Sequence, residues 1–473
     1  MNARLWLAFA SLGLGIFMVN MDSAMLTMAL PRLEKEWEVP LLQLKWLVLG
    51  YLILITGLLP SIGRLSDRAG KKRIYMLGVS LFTVSTLLCA GAGSFWQLLL
   101  FRLLQAIGAS MIMANAMSLV TQIFPQGLKG RALSGISSVI AVATILGPAV
   151  GGLLLHLSSW RAVFLLHLPL GIAALLLSIL HIPAAPQHKP AGQSFDYVGA
   201  VAFFVAMAGL LSYLSWADTL GWASAWAMTL LGGSLGMMAF FIYWQARAAH
   251  PLLELSLFRK SRFIFANLAS YLSFVLTMLP AVVLPLYLIQ VMQISEDTAG
   301  ALISVQAVAI VLAAPVSGWM TDKLNGRIPA AVGMLCCAAG LGLLSGLEPG
   351  TGYGSIVLAL GLFGLGIGLF QAPNQLAVLQ DVPPDKNGAA GSIMATIRNF
   401  GRVSGTALAF LLYASSNSSP LQGSGQVAAA GNVQLVFLAG CVLAFITILL
   451  QFGDVLKFKH ERASRYSASK LKQ

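Results

Sequence analysis

Apolar residues in this chain do not alternate with polar ones. They gather in runs of about 20, each long enough to cross roughly 30 Å of hydrocarbon as a helix rising 1.5 Å per residue. Such runs recur from near the N-terminus to about residue 454, with most charged residues in the short stretches between them. The pattern predicts fourteen spans, over residues 5–30, 42–62, 74–94, 96–124, 132–156, 161–182, 196–216, 222–245, 262–290, 298–321, 328–348, 353–380, 388–414 and 433–454. The second and eighth are the least regular, the second with Lys45 near one end and the eighth with several Trp residues. The first run begins almost at Met1 and is longer than the apolar core of a signal peptide, so no cleavage is expected.

Composition agrees with the pattern. Of 473 residues, 58% are hydrophobic and 10% charged, and mean hydropathy is +0.83. A water-soluble chain of this length would need more polar surface and would divide around separate cores. The expected fold class is therefore an all-α polytopic membrane protein. With the N-terminus inside, the loops on its side carry Arg64, Arg68, Lys71, Lys72, Arg73, Lys129, Arg131, Lys189, Arg247, Arg259, Lys260, Arg262, Lys323, Arg327 and Lys386, and the tail adds further bases. The opposite loops hold only Arg32, Lys35 and Arg161, beside acids such as Glu34, Glu36, Glu38, Glu296 and Asp297. That asymmetry puts both termini in the cytoplasm, with the chain in the cytoplasmic (inner) membrane.

The net charge of +13 is dispersed over inner loops, where topology and anionic lipid account for it, so nucleic acid is not an expected partner. Cys89, Cys336, Cys337 and Cys441 all lie in spans without ligand spacing and read as small apolar residues. No GxxxxGK[ST] loop, zinc motif or catalytic triad appears. An enzyme is not expected, nor a cofactor, and the energy source should be a gradient or another subunit.

Two inner loops resemble each other. The first is Gly63-Arg-Leu-Ser-Asp67-Arg68-Ala-Gly70-Lys-Lys-Arg73, and the second is Gly318-Trp-Met-Thr-Asp322-Lys-Leu-Asn-Gly326-Arg327. Each has Gly, an acid four residues on, a base directly after it and a further Gly near the turn. Parallel repeats of this kind build two bundles that rock about a central site. The expected organisation is a six-helix bundle at 1–182, a two-helix insert with its connections at 183–261, a second six-helix bundle at 262–454 and a basic cytoplasmic tail at 455–473.

Asp22 is the one Asp or Glu in the middle of a membrane-length run. A carboxylate there is costly unless it faces a partner or a water-filled path, so it is the leading functional candidate. Counted along their helices, Asp22 and Arg102 reach similar depth in the outer half and can pair. A proton-coupled switch and a fixed helix-aligning ion pair both fit such a pair. Gly63 and Asp67 read as gate residues, with Asp67 able to meet a helix N-terminus or an arginine across the inner gate. Arg68 and Arg73 can serve the same gate or simply set topology, and Asp322 is the second-half counterpart of Asp67. Arg398, Asn399 and Arg402 lie mid-span without a local acid and suit an aqueous cavity. Asn374, beside Gln371 and Pro373, adds to that set. His167 can relay a proton or pack through a hydrogen bond, and Met113, with Met111 and Met117, can line a compliant pocket. Charge alone does not choose between a cation drawn to Asp22 and an anion drawn to Arg398. Lys45 is placed to snorkel toward a membrane boundary.

Five stretches carry a family resemblance. Gly63–Arg73 looks like the loop 2–3 signature of the major facilitator superfamily, and Asp22–Pro31 like the first-helix motif of its fourteen-span drug:proton antiporters. Arg102-Leu-Leu-Gln105-Ala-Ile-Gly108, Gly147-Pro148-Ala-Val-Gly151-Gly152 and Trp160–Pro169 resemble further motifs of that family. The resemblance spans nearly the whole chain. It implies proton-driven export of amphipathic small molecules or drugs by alternating access, with Asp22 and Arg102 associated with coupling. Gly147, Pro148, Gly151 and Gly152 become a gating interface, through a proline kink and close helix approach. Protons, substrate and lipids are the implied partners. Some fourteen-span relatives in two-membrane cells also work with a periplasmic adaptor and an outer-membrane channel, which the short outer loops here neither require nor exclude. His167 stands where relatives usually carry Asn, Ala143 replaces a common Gly, and a second membrane carboxylate found in some multidrug relatives is missing. The alternative is a narrow-specificity carrier for a metabolite, lipid or siderophore, using Arg398 to hold an anion.

Overall fold

The computed structural model describes residues 3–183, 196–220, 224–248, 252, 255–323, 326–348, 350–380, 382, 387–414 and 433–451. The tail from 455, parts of the 183–261 connection and the side chain of Asp322 lie outside the described residues.

A helix lies over every predicted span. In chain order they are α1 (Ala3–Trp37), α2 (Leu41–Ala69), α3 (Lys71–Ala90), α4 (Phe95–Ile123), α5 (Gln126–Leu157), α6 (Arg161–Leu165), α7 (His167–His181), α8 (Tyr197–Leu220) and α9 (Ala225–Arg247). They continue with α10 (Ser261–Leu286), α11 (Glu296–Lys323), α12 (Arg327–Ser345), α13 (Tyr353–Leu379) and α14 (Asn387–Ala414), and end with α15 (Val433–Gln451). The sixth predicted span is split at Leu166 into α6 and α7. Among the described residues twelve helices are long and apolar enough to cross a membrane, α5 adds the shorter apolar stretch Leu146–Leu157, and no strand occurs.

Local chemistry sets the breaks. Gly70 joins α2 directly to α3 with φ 94°, a region L side chains rarely adopt. Ser94 and Ser224 cap α4 and α9, each hydroxyl accepting a backbone N–H three residues on. Pro280 and Pro285 interrupt the hydrogen-bond ladder of α10, which passes into a π turn over Tyr287–Val291.

Inside a bilayer, helices associate through close packing and hydrogen bonds, because lipid is as apolar as leucine. Accordingly α3 crosses α4 where Gly78 meets Gly108, and α12 crosses α13 where Gly333 meets Gly366. Helix α1 packs on α4, α5 and α7, while α10 packs on α13 and α14. Among the described residues α1–α7 meet α10–α15 mainly where α5 runs along α11, α2 along α14, and α1 on α10. Helix α8 pairs with α9 and also touches both α2 and α14. The exposed flank of α9, with Trp226, Leu235 and Tyr243, presents the apolar surface that a bilayer covers.

Candidate functional site

Asp22 is 0% exposed and Arg102 1% exposed. The Arg102 Nη1 donates to Asp22 Oδ2 at 2.5 Å and to Gln105 Oε1 at 2.6 Å. Gln105 Nε2 in turn donates to Asp22 Oδ1 at 3.2 Å and to the Thr86 hydroxyl at 2.8 Å. Arg102 Nε reaches the Leu47 carbonyl at 3.4 Å, and its guanidinium lies 4.1 Å over the Tyr51 ring. Both carboxylate oxygens are thus occupied by donors from α4, and the pair is closed off inside α1–α4. A buried ion pair of this kind offsets its desolvation cost only when its remaining hydrogen-bonding capacity is met. Gln105 and Thr86 meet it.

The end of the molecule carrying Arg32, Glu34, Glu296 and Asp297 is closed across α1–α7 and α10–α15. Gln290 Nε2 donates to Glu34 Oε2 at 2.7 Å. Arg32 pairs with Glu296 at 3.5 Å and also donates to the Leu155 carbonyl. Within α5, Gly147 and Gly151 lie against Ala24 and Met25 of α1, whereas Gly152 lies against the Glu296 carbonyl and Pro148 against Gly300 of α11. The motif therefore has two faces, one toward its own helix set and one across the seam. Pro148 sits in an unbroken helix. Because Arg32 is 36% exposed, its bridge should contribute at most about 1 kcal/mol. Glu296→Gln is expected to shift the balance between closed and open seam by less than about five-fold, an effect that fades in high salt. A label distance across the seam measures it.

At the opposite, basic end, a β-carbon on Gly63 or Gly318 would meet nothing within 4 Å. Asp67 is exposed and pairs with Lys71 of its own connection at 3.1 Å, and Arg68 and Arg73 are exposed. The backbone of Asp322 is helical at the end of α11.

Arg398 and Arg402 occupy one face of α14, one turn apart and partly buried. Arg402 Nη1 donates across the seam to Asn20 Oδ1 at 3.4 Å, and its guanidinium lies 5.9 Å from the Phe274 ring centre. The Arg402 Nε is buried without a hydrogen-bond partner. Asn399 is buried and donates to Ala395 in its own helix. Asn374 is held away from this face: its Nδ2 donates to the Ala266 carbonyl, and its Oδ1 accepts from Gln451, each at 3.1 Å. His167 is buried beside Phe82, with Nδ1 at 3.0 Å from the Val163 carbonyl and Nε2 unpartnered. Met113 packs, partly buried, on the core. Lys45, expected to snorkel, is instead buried in the protein at 2% exposure.

A cleft of about 520 Å³ opens at the basic end among α10, α11, α12, α13 and α15, beside Arg262, Arg327 and Gln380. It touches one helix set only, whereas an alternating-access site must be reached from both. The Asp22 network and the α14 arginines are the stronger candidates. Sequence reasoning quoted Gln105 without a role and passed over Thr86 and Tyr51. Gln105 was within reach, since it lies three residues after Arg102 on the same helical face. Among the described residues no cluster of His, Cys, Asp and Glu could hold a metal ion.

The family model of the Major Facilitator Superfamily matches residues 12–406. The Riboflavin transporter RibZ of Clostridioides difficile is 29% identical over 422 residues, covering 87% of this chain and 89% of its own. The Multidrug resistance protein Stp of Mycobacterium tuberculosis is 27% identical over 462 residues, covering 97% and 85%. Among solved structures, a bacterial homolog of the human lysosomal transporter Spinster superposes with a TM-score of 0.66 at 15% identity, over 96% of this chain and 97% of that one. At that identity the likeness speaks for the fold alone.

Proposed function

The chain belongs to the Major Facilitator Superfamily, and on that footing we propose that it is a proton-coupled antiporter exporting amphipathic small molecules by alternating access. Membership makes it a multi-pass membrane transporter of small molecules. Proton coupling, the direction of transport and the substrate are our reading. What carries that reading is the Asp22–Arg102 pair, a lone mid-membrane carboxylate whose charge is balanced by a single guanidinium. A proton arriving from outside would neutralise Asp22 and release Arg102. Its departure to the cytoplasm would restore the pair. The contacts that differ between the two protonation states then bias the seam. In this reading the present arrangement is the one closed outside, and both termini lie in the cytoplasm. Asp67 and Asp322 act when the basic end closes. Membrane lipid surrounds the chain, and in a two-membrane cell an adaptor and outer channel could extend the path.

The two relatives described above are named as a riboflavin transporter and a multidrug resistance protein, so a narrow and a broad spectrum each have a precedent. The narrow reading gains from the two arginines on α14. Competition between chemically unrelated compounds separates the two, because only a broad pocket lets them displace one another.

The decisive experiment is flux in proteoliposomes under an imposed pH gradient. Wild-type protein should drive transport and move protons, whereas Asp22→Asn should fall to the level of protein-free liposomes. The double variant Asp22→Asn/Arg102→Gln removes both charges and keeps the test valid should the single variant fold poorly. Undiminished gradient-driven flux in either variant would refute coupling at Asp22.

A further inference from the structure

We propose that Arg398 and Arg402 form the recognition pair for an anionic aromatic substrate seated in the seam between α1, α10 and α14. The inference rests on the transport reading above and names the substrate class of that path. Two like charges one turn apart on a helix repel each other, and a guanidinium cannot shed its proton to escape. In the middle of a membrane protein such charges persist where an anion or a water-filled path compensates them. Here the obvious protein anion is already taken. Both oxygens of Asp22 are bound by Arg102 and Gln105. Arg398 makes no hydrogen bond or ion pair with any described residue, whereas Arg402 has only the long contact to Asn20 at 3.4 Å and leaves Nε unpartnered. The seam thus offers two positive groups and a free buried donor, and the missing complement is a carboxylate, sulfonate or phosphate gripped by a planar fork.

The surroundings supply the aromatic half of the assignment. Phe274 lies 5.9 Å from the Arg402 guanidinium. A ring beside one of two planar guanidinium groups, which themselves stack on aromatic faces, suits a ligand that is flat and anionic. A lipophilic cation would meet net positive charge here. Asn20 lies on α1 and the arginines on α14, so an occupant bridges the two helix sets, as a site reached from either side requires.

Two xanthene dyes with the same ring system and opposite charge, fluorescein and rhodamine 6G, make the test. Each would be titrated by fluorescence anisotropy against the full chain in phosphatidylcholine nanodiscs, with no gradient present. Fluorescein should bind saturably and at least about ten-fold tighter than rhodamine 6G, and Arg398→Gln or Arg402→Gln should each weaken it about ten-fold or more. Arg402→Lys keeps the charge without the fork and should fall between. Three results would overturn the proposal: equal or tighter binding of rhodamine 6G, unchanged fluorescein binding in both Gln variants at unchanged thermal transitions, or no saturable binding of either dye. Nanodiscs containing phosphatidylglycerol test the other source of an anion, and displacement of fluorescein by that lipid would assign the arginines to a headgroup instead. The wild-type protein separates the two levels of argument: flux that ignores an imposed pH gradient would refute the coupling, whereas the dye titrations, made without a gradient, decide the substrate class.

Discussion

Arg102→Gln and Asp22→Asn are each expected to destabilise the protein by about 3–5 kcal/mol, while the double variant recovers most of that loss. Each single change leaves a charge at 0–1% exposure without its partner. The double change leaves two amides that can hydrogen-bond to each other and to Gln105. Thermal unfolding of the four proteins, read as a double-mutant cycle, measures the coupling directly. Additive effects would mean that the 2.5 Å contact contributes no interaction energy.

Much of this network was open to sequence reasoning, for a physical reason. A carboxylate in a run of apolar residues is conspicuous, and depth along two antiparallel helices can be counted at 1.5 Å per residue. That arithmetic placed Asp22 and Arg102 level with each other. It says nothing about how α2 and α3 rotate about their own axes, so Tyr51 and Thr86 gave no signal. Periodicity could have gone further at α5. Residues 147 and 151 share one helical face, and 148 and 152 share the next one round, about 100° away. From its spacing the motif is a single gating surface, whereas the structure divides it between α1 and α11. Asn374 and Lys45 show the opposite limit. A polar residue within an apolar span reads as cavity-facing or snorkelling, yet the amide of Asn374 is satisfied by Ala266 and Gln451, and Lys45 is buried in the protein. Which helix turns toward which neighbour is a tertiary fact, and polarity along the chain does not encode it.

The anionic assignment has an energetic consequence that ties the two sites together. If one proton enters as one anion leaves, both movements carry positive charge inward. Each charge crossing the membrane potential contributes about 2.3 kcal/mol per 100 mV. Export would then respond to voltage as well as to the pH gradient, whereas exchange of a proton for a monovalent cation would be electrically silent. Current across a planar bilayer or a voltage-sensitive dye in proteoliposomes distinguishes them.

Gly152→Leu is expected to shift the balance toward an open α5–α11 seam by about 5- to 150-fold, corresponding to the roughly 1–3 kcal/mol that overpacking typically costs. The backbone of α5 approaches α11 so closely at this point that any β-carbon would overlap the Glu296 carbonyl. The obstacle is backbone in a helix, so no side chain can rotate away to relieve it. Separation of α5 from α11 is the remaining response, and it opens the same seam that Glu34–Gln290 and Arg32–Glu296 close. Those polar links are partly exposed and cannot offset a steric penalty of that size. Spin labels at the exposed positions Ser158 and Gln293, in a background with the four native cysteines replaced, would report the separation by double electron–electron resonance. Gly318→Leu is the matched control, because a β-carbon there meets nothing within 4 Å. An unchanged distance distribution in Gly152→Leu would mean that α5 and α11 do not act as the movable seal. A shift in Gly152→Leu alone would locate the closing contact at one glycine, where a single added side chain converts close packing into a wedge.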